Sequence, residues 1–258
     1  MDIITSDSNK DIKKIISLME KSKSRKNEDS YVVEGIKMVL EVPKEDIRQV
    51  YMTESCYENI KDRIDFDYKI ISDNVYKKIS DTVTPQGILA VVKRKHYELD
   101  EILGRVVKKE GLKDKQLIMV LEDVRDPGNI GTIIRTCEAA GVSGIILSKE
   151  CVDIYNPKVV RSTMGAILRV PFYESANLKE DIEKIKARDY KIYAAHLKGE
   201  KNYNEVDKDG AYGFVIGNEA NGISDEIAEM ADELVKIPMY GNVESLNAAI
   251  AASILMFA

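Results

Sequence analysis

Leu117-Ile118-Met119-Val120-Leu121 is an unbroken apolar run of strand length. It feeds into Asp126-Pro127-Gly128-Asn129-Ile130-Gly131-Thr132-Ile133-Ile134-Arg135, a turn that becomes a helix over residues 130–140. A strand without polar alternation is buried on both faces, as strands of a parallel sheet are. The same grammar recurs downstream. Strands are predicted at 144–147, 170–173, 191–195, 212–216 and 234–237, and helices at 157–164, 178–188, 223–230 and from Ser245 to the end of the chain. Apolar strands alternating with helices define an α/β domain with a parallel sheet covered on both faces.

Upstream, residues 10–21 place Ile12, Ile15, Ile16, Leu18 and Met19 at three- and four-residue spacing between lysines, which predicts an amphipathic helix. Strands at 31–34, 49–52 and 86–92 and helices at 35–42 and 73–79 complete a smaller α/β module, with Pro43 ending the first of those helices. The expected division is 1–97, a charged linker at 98–115 that is helical around 101–109, and 116–258.

The chain has 258 residues, 44% hydrophobic and 32% charged. No run of about 18 apolar residues is present to cross a membrane. Met1-Asp2-Ile3-Ile4-Thr5 has neither the basic start nor the apolar core of a signal peptide. Three cysteines, Cys56, Cys137 and Cys151, form no CxxC pair, which fits a reducing cytoplasm and predicts neither a disulfide framework nor a metal site. The net charge of −6 runs against the basic footprint of a nucleic-acid binder. Residues 10–26 run the other way. They hold Lys10, Lys13, Lys14, Lys21, Lys23, Arg25 and Lys26 against Asp11 and Glu20 alone.

Three segments put glycines and polar residues directly after a strand, at the carboxyl edge of a parallel sheet, where ligands bind. They are 126–135, then Gly217-Asn218-Glu219-Ala220-Asn221-Gly222-Ile223, then 237–249 with Ile237-Pro238-Met239 and Ser245-Leu246-Asn247. Each has a plain structural explanation. Asn129 and Ser245 suit helix N-caps, Glu219 suits a helix dipole, and Gly217 and Gly222 suit turns. Their joint occurrence does not reduce to capping. Gly128 and Gly131 do not make GxGxxG, no acid ends the second strand, and no GxxxxGK[ST] exists, so dinucleotide and phosphate-loop folds are disfavoured.

The three segments resemble motifs 1, 2 and 3 of the SpoU (TrmH-type) branch of the SPOUT methyltransferases. Asn129, Gly131 and Arg135 match the first, Gly217, Glu219 and Gly222 the second, and Ile237, Pro238, Met239, Ser245, Leu246 and Asn247 the third. Residues 31–35 and 80–88 look like the substrate-binding domain many such proteins carry, similar to small ribosomal RNA-binding proteins. The resemblance implies a parallel-sheet domain with a deep trefoil knot, a homodimer, and methyl transfer from S-adenosylmethionine to an RNA ribose 2′-hydroxyl. Ribosomal RNA, 23S in particular, is the favoured substrate and transfer RNA the second. A base methyltransferase and a non-catalytic RNA-binding protein are the rivals.

The resemblance implies cofactor contacts at Leu197, Gly217, Ile237, Met239, Leu246 and Asn247, and a catalytic group of Arg135, Asn129, Glu219, Asn247 and Ser245. Arginine stays protonated, so Arg135 is expected to bridge an RNA phosphate and the developing alkoxide, with Asn129 and Glu219 fixing its position. His196 is a weaker catalytic candidate. Glu219 is expected to tolerate replacement less well than Asn218. Lys13, Lys23, Arg25 and Lys26 are the candidate RNA contacts. The final helix, apolar on almost every side from Leu246 to Phe257, independently suggests burial against a second subunit.

Overall fold

Lysine-rich α1 (Lys10–Glu20) buries Ile12, Ile15 and Leu18 and turns its lysines outward, as its periodicity predicts. The computed structural model describes residues 3–257. Met1 and Asp2, and Ala258 at the end of the expected last helix, lie outside the described residues. The chain continues through α2 (Ser22–Asn27), β1 (Ser30–Glu34), α3 (Ile36–Glu41), β2 (Ile47–Met52), α4 (Glu54–Ile60), β3 (Tyr68–Ile70), α5 (Asp73–Ile79) and β4 (Ile88–Lys93). These strands form one sheet in the order β1-β4-β2-β3, antiparallel except for the β2–β3 pair. Ile12, Ile15 and Leu18 of α1 pack with Val75, Tyr76 and Ile79 of α5 on one side of this sheet.

After α6 (Leu99–Leu103) come β5 (Gln116–Leu121), α7 (Pro127–Ala140), β6 (Gly144–Ser148), α8 (Pro157–Ser162) and β7 (Phe172–Ser175). Then follow α9 (Leu178–Lys186), β8 (Lys191–Ala195), β9 (Lys201–Asn202), β10 (Ala211–Ile216), α10 (Asp225–Met230), β11 (Glu233–Lys236) and α11 (Ala248–Met256). The seven strands are parallel throughout, in the order β7-β6-β5-β10-β8-β11-β9. Six were expected; the seventh, β9, is two residues long and carries no periodic signal. The shared edge of β5 and β10 makes the loops that follow them neighbours, although almost a hundred residues separate them in sequence.

The chain divides into two compact units, residues 3–95 with 155–168 in one, and 96–154 with 169–257 in the other. Residues 155–168, with α8, thus leave the run of the parallel-sheet domain and pack in the first unit. Tyr31 and Tyr155 pack there as a tilted ring pair with centroids 4.4 Å apart, and Arg94 lies over the Tyr155 ring at 4.8 Å. No composition shift marks this return. Within the expected linker, the helix ends at Leu103 rather than Lys109, and Val107 pairs with Lys115.

Two N-caps differ from expectation. Asp126, not Asn129, caps α7, its Oδ1 accepting the Asn129 amide at 2.8 Å with Pro127 in the first turn. Asn247, not Ser245, caps α11, accepting the amides of Ala249 and Ile250. Both shifts free a polar side chain for other contacts.

Candidate active site

At the carboxyl edge of the parallel sheet, the three glycine-rich segments are tied by a relay of side-chain hydrogen bonds. Asn247 Nδ2 donates to Asn129 Oδ1 at 2.9 Å, and Asn129 Nδ2 donates to Glu219 Oε1 at 2.9 Å. The Glu219 carboxylate also accepts the backbone amides of Asp126 (3.2 Å) and Arg125 (3.4 Å). One residue from each segment therefore meets the others. Asn129 can serve both neighbours because an amide offers donor and acceptor together, and it is buried.

Partial burial pushes the Glu219 carboxyl up, but the bonds from Asn129, Asp126 and Arg125 outweigh it and hold the group below the ordinary glutamate range. Its contacts are thus full strength above the ordinary glutamate pKa and are lost as pH falls through the lower, folded value. Cofactor affinity is expected to stay flat from about pH 8 down to about pH 5 and to drop only below the ordinary glutamate pKa of about 4.3. Titration calorimetry across that range checks this; a fall centred near neutrality would contradict it. Glu219→Gln should cost clearly less than Glu219→Ala. The amide oxygen can replace Oε1, which accepts from both Asn129 and Asp126, so only the 3.4 Å Arg125 bond to Oε2 then meets an N–H. Alanine loses all three bonds, and an activity loss of about tenfold or more is expected for alanine alone.

The second segment closes on itself through paired amide–carbonyl bonds between Asn218 and Gly222, both 2.9 Å. A Cβ on Gly217 would lie 2.1 Å from the carbonyl carbon of Gly222, so only glycine fits there. Gly222 has φ +70°, the left-handed region that glycine occupies at least cost. Asn218 is itself heavily engaged. It donates to the Asp123 carbonyl at 2.8 Å and accepts the amides of Ala220 and Asn221. Both neighbours in this turn are therefore bonded to other segments, Asn218 to Asp123 and Glu219 to Asn129.

Arg135 departs most from expectation. It lies on α7 with Asn129, but six residues correspond to about 600° of helix rotation, leaving the two roughly 120° apart. Asn129 is buried and Arg135 exposed, and among the described residues Arg135 forms no ion pair or hydrogen bond. Asn129 and Glu219 therefore bind each other and do not hold the guanidinium. Arg25 is likewise corrected. It is 3% exposed, and its Nη1 donates to the carbonyls of Leu18 and Met19 at the end of α1, so it is an anchor rather than an RNA contact. Lys13, Lys23 and Lys26 are exposed.

Leu197, Gly217, Ile237, Met239, Leu246 and Asn247 lie on the segments that follow β8, β10 and β11, three adjacent strands. Leu197 is 71% exposed, and Tyr240 and Val243 in the third segment are exposed too. Apolar side chains left in solvent on these loops fit a ligand with an apolar body. Ser245 is exposed in the same irregular stretch. His196 Nδ1 accepts the Lys198 amide at 3.1 Å.

Sequence reasoning passed over the two acids that end β5. Glu122 accepts the Ser224 amide and hydroxyl at 2.9 and 2.6 Å, tying β5 to the N-cap of α10. Asp123 sits at φ 54°, pairs with Arg125 and accepts from Asn218. Two carboxylates at the end of an apolar strand, four residues before a glycine turn, were the available signal.

Comparison with known proteins agrees with this geometry. The profile of the SpoU rRNA Methylase family matches residues 116–257, and that of the MRM3-like substrate binding domain matches residues 9–90. A 23S rRNA (guanosine(2553)-2′-O)-methyltransferase, RlmP, of Bacillus subtilis is 28% identical over 96% of this chain and 94% of its own. A Staphylococcus aureus protein assigned to the TrmH family of tRNA/rRNA methyltransferases is 33% identical over 74% of this chain and 77% of its own. The AdoMet-bound rRNA methyltransferase of Sinorhizobium meliloti superposes with a TM-score of 0.84 at 30% identity, covering 99% of this chain and 96% of that one.

Proposed function

Because the chain belongs to the SpoU rRNA Methylase family, we propose that it transfers a methyl group from S-adenosylmethionine to a ribose 2′-hydroxyl of a structured RNA, with 23S ribosomal RNA the favoured substrate. The observation that carries this reading is the Asn247–Asn129–Glu219 relay, which assembles the three segments into one edge. S-adenosylmethionine, when bound, supplies an electrophilic methyl on a sulfonium.

The chain's own residues do the rest. The Gly217–Gly222 hairpin and the backbone around Leu197, Ile237, Met239 and Leu246 hold the cofactor and exclude water. Asn247 and Asn129 set the third segment against the first. Arg135, whose guanidinium is open to solvent, clamps an RNA phosphate and steadies the negative charge that grows on the 2′-oxygen as it attacks the methyl and its proton passes to water. Ser245 shapes the ribose side of the site.

Two further features belong to this reading. The carboxyl-terminal segment is threaded as a trefoil knot. A second copy of the chain covers the outward face of α11, where Ile250 is 52% and Phe257 64% exposed while Ala248, Ala252 and Leu255 are buried. No described helix is long and apolar enough to cross a membrane, and the three cysteines are free, which suits work in the cytoplasm. Among the described residues no group of three or more metal-ligating side chains occurs.

Incubating the purified chain with ribosomal RNA and S-adenosylmethionine, then digesting to nucleosides for mass spectrometry, tests the proposal. A 2′-O-methyl nucleoside is expected; methyl on a base, or none, overturns it. In the same chain, replacing Lys13, Lys23 and Lys26 together by glutamine should weaken RNA binding and flatten its salt dependence by about 0.7 to 0.9 logarithmic units per lost phosphate contact. Cofactor binding should not change. An unaltered salt slope would remove these lysines from the RNA face.

A further inference from the structure

The first unit contains a recess of about 250 Å³ that the reaction described above does not use. Its lining is mixed. Ile16 and Met19 of α1, Ile79 at the end of α5, and Pro157 at the start of α8 supply apolar surface, and Glu20, Lys78, Ser80, Asp81 and Asn156 supply polar groups.

The wall of this recess is held still. The Glu34 carboxylate accepts hydrogen bonds from the hydroxyls of Tyr76 (3.2 Å), Thr82 (3.1 Å) and Ser80, and so pins the segment that carries Ser80 and Asp81. On the far side of Asp81, Arg161 Nη1 donates to its carbonyl at 3.1 Å and to its carboxylate at 3.0 Å. A surface fixed before binding loses little entropy on binding, which is how recognition sites gain affinity. Arg161 also leaves Glu20 as the one lining carboxylate with no partner among the described residues.

Size and chemistry narrow the occupant. The volume falls below the roughly 300–1,000 Å³ of sites for drug-sized ligands, so it suits one flat ring system rather than a chain of groups. Apolar surface to cover its faces together with polar groups to meet its edge is what an unstacked nucleobase requires. The same helix that lines the recess runs directly into α2, and this stretch presents exposed Lys21, Lys23 and Lys26, cations suited to the phosphates on either side of such a base.

Building on the RNA-methyltransferase reading, we infer that this recess holds one unpaired nucleobase of the substrate RNA, with Ile16, Met19 and Pro157 against its faces and Glu20 accepting from N–H donors on its edge. Guanine fits best, because only its edge offers adjacent ring N–H and amino donors to one carboxylate. The recess is thus a specificity subsite carried by the first unit, separate from the carboxyl edge of the parallel sheet. Glu20 reads the base, and Glu34 is a positioning residue that acts through Ser80 and Thr82.

Short RNA hairpins that differ only in one unpaired loop base, G, A, C or U, test the inference by fluorescence anisotropy with the full chain at fixed salt. The wild type is expected to favour the G hairpin by about tenfold over U, the scale of one good bidentate contact. Ile16→Phe fills the recess and should weaken the G hairpin about tenfold without altering the salt slope. Glu20→Gln, at an exposed position that folding does not depend on, should erase the base preference. Calorimetric binding of S-adenosylmethionine, unchanged in both variants, shows that the fold is intact. Equal binding of all four hairpins by the wild type, or a base preference that survives Glu20→Gln, overturns the subsite. A wild type that binds none of the RNAs and makes no 2′-O-methyl nucleoside defeats the broader reading instead.

Discussion

Arg135→Lys is expected to lower turnover by about 10²-fold or more while S-adenosylmethionine binds as in the wild type. The argument rests on where Arg135 stands. It projects from α7 into solvent, without an ion pair or hydrogen bond among the described residues, whereas the neighbouring relay is fully satisfied within the chain. An exposed arginine on the helix that carries Asn129, kept free of carboxylates, has its donors available for an incoming anion. Lysine preserves the charge but loses the planar fork that can bond a phosphate oxygen and a second oxygen together. The loss should therefore fall on the chemical step. Single-turnover methylation, run beside calorimetric cofactor titration, separates the two. Normal turnover in the lysine variant would exclude a bridging role, and a lost cofactor site would make Arg135 structural.

The parts of this molecule legible in the sequence are those where one periodic pattern decides the structure. Strand 191–195 and helix 73–79 are found at the residues expected, because an apolar run or a clean helical stripe spans each whole element. Elements held by particular contacts were not legible. Helix α2, SKSRKN, has no apolar stripe. It exists because Arg25 turns inward to the end of α1 and Ser24 bonds Ser17. Strand β3 is three residues long and is set by pairing with β2. The return of residues 155–168 to the first unit depends on Tyr155 meeting Tyr31 and Arg94, a tertiary event with no local mark.

The candidate site divides along the same line. Its membership was readable, because glycines and amides cluster after strands for few reasons other than turns and ligands. Its wiring was not. Asn129 and Arg135 share a helix, but their six-residue spacing sets them roughly 120° apart. Which of the two the sheet edge would take is decided only by the relay to Glu219 and Asn247. The acids at the end of β5 were overlooked because a carboxylate after a strand is common. Glu122 and Asp123 acquire roles only when β10 is placed beside β5.

Gly217→Ala is expected to abolish measurable cofactor binding, the largest effect on binding predicted for this chain. The added methyl would sit 2.1 Å from the Gly222 carbonyl carbon and 2.3 Å from the Ile223 amide nitrogen, both main-chain atoms that no rotamer change can move aside. Relief requires opening the Asn218–Gly222 hairpin, which breaks its paired 2.9 Å bonds and displaces Glu219 from Asn129. Overpacking of this kind costs about 1–3 kcal/mol in a compliant core, and a backbone-to-backbone clash stands at the upper end or beyond. Gly222 gives the matched control. A Cβ there meets nothing within 4 Å, so the only demand is φ +70°, which asparagine tolerates better than other side chains. Gly222→Asn should therefore keep the hairpin and most of the cofactor affinity, although both changes fall in one six-residue turn. Calorimetry with S-adenosylmethionine, together with thermal melting, distinguishes the outcomes. Undiminished binding in Gly217→Ala would mean that the hairpin takes no part in the cofactor site. Equal losses in the two variants would mean that the turn's flexibility, rather than the close approach at Gly217, controls binding.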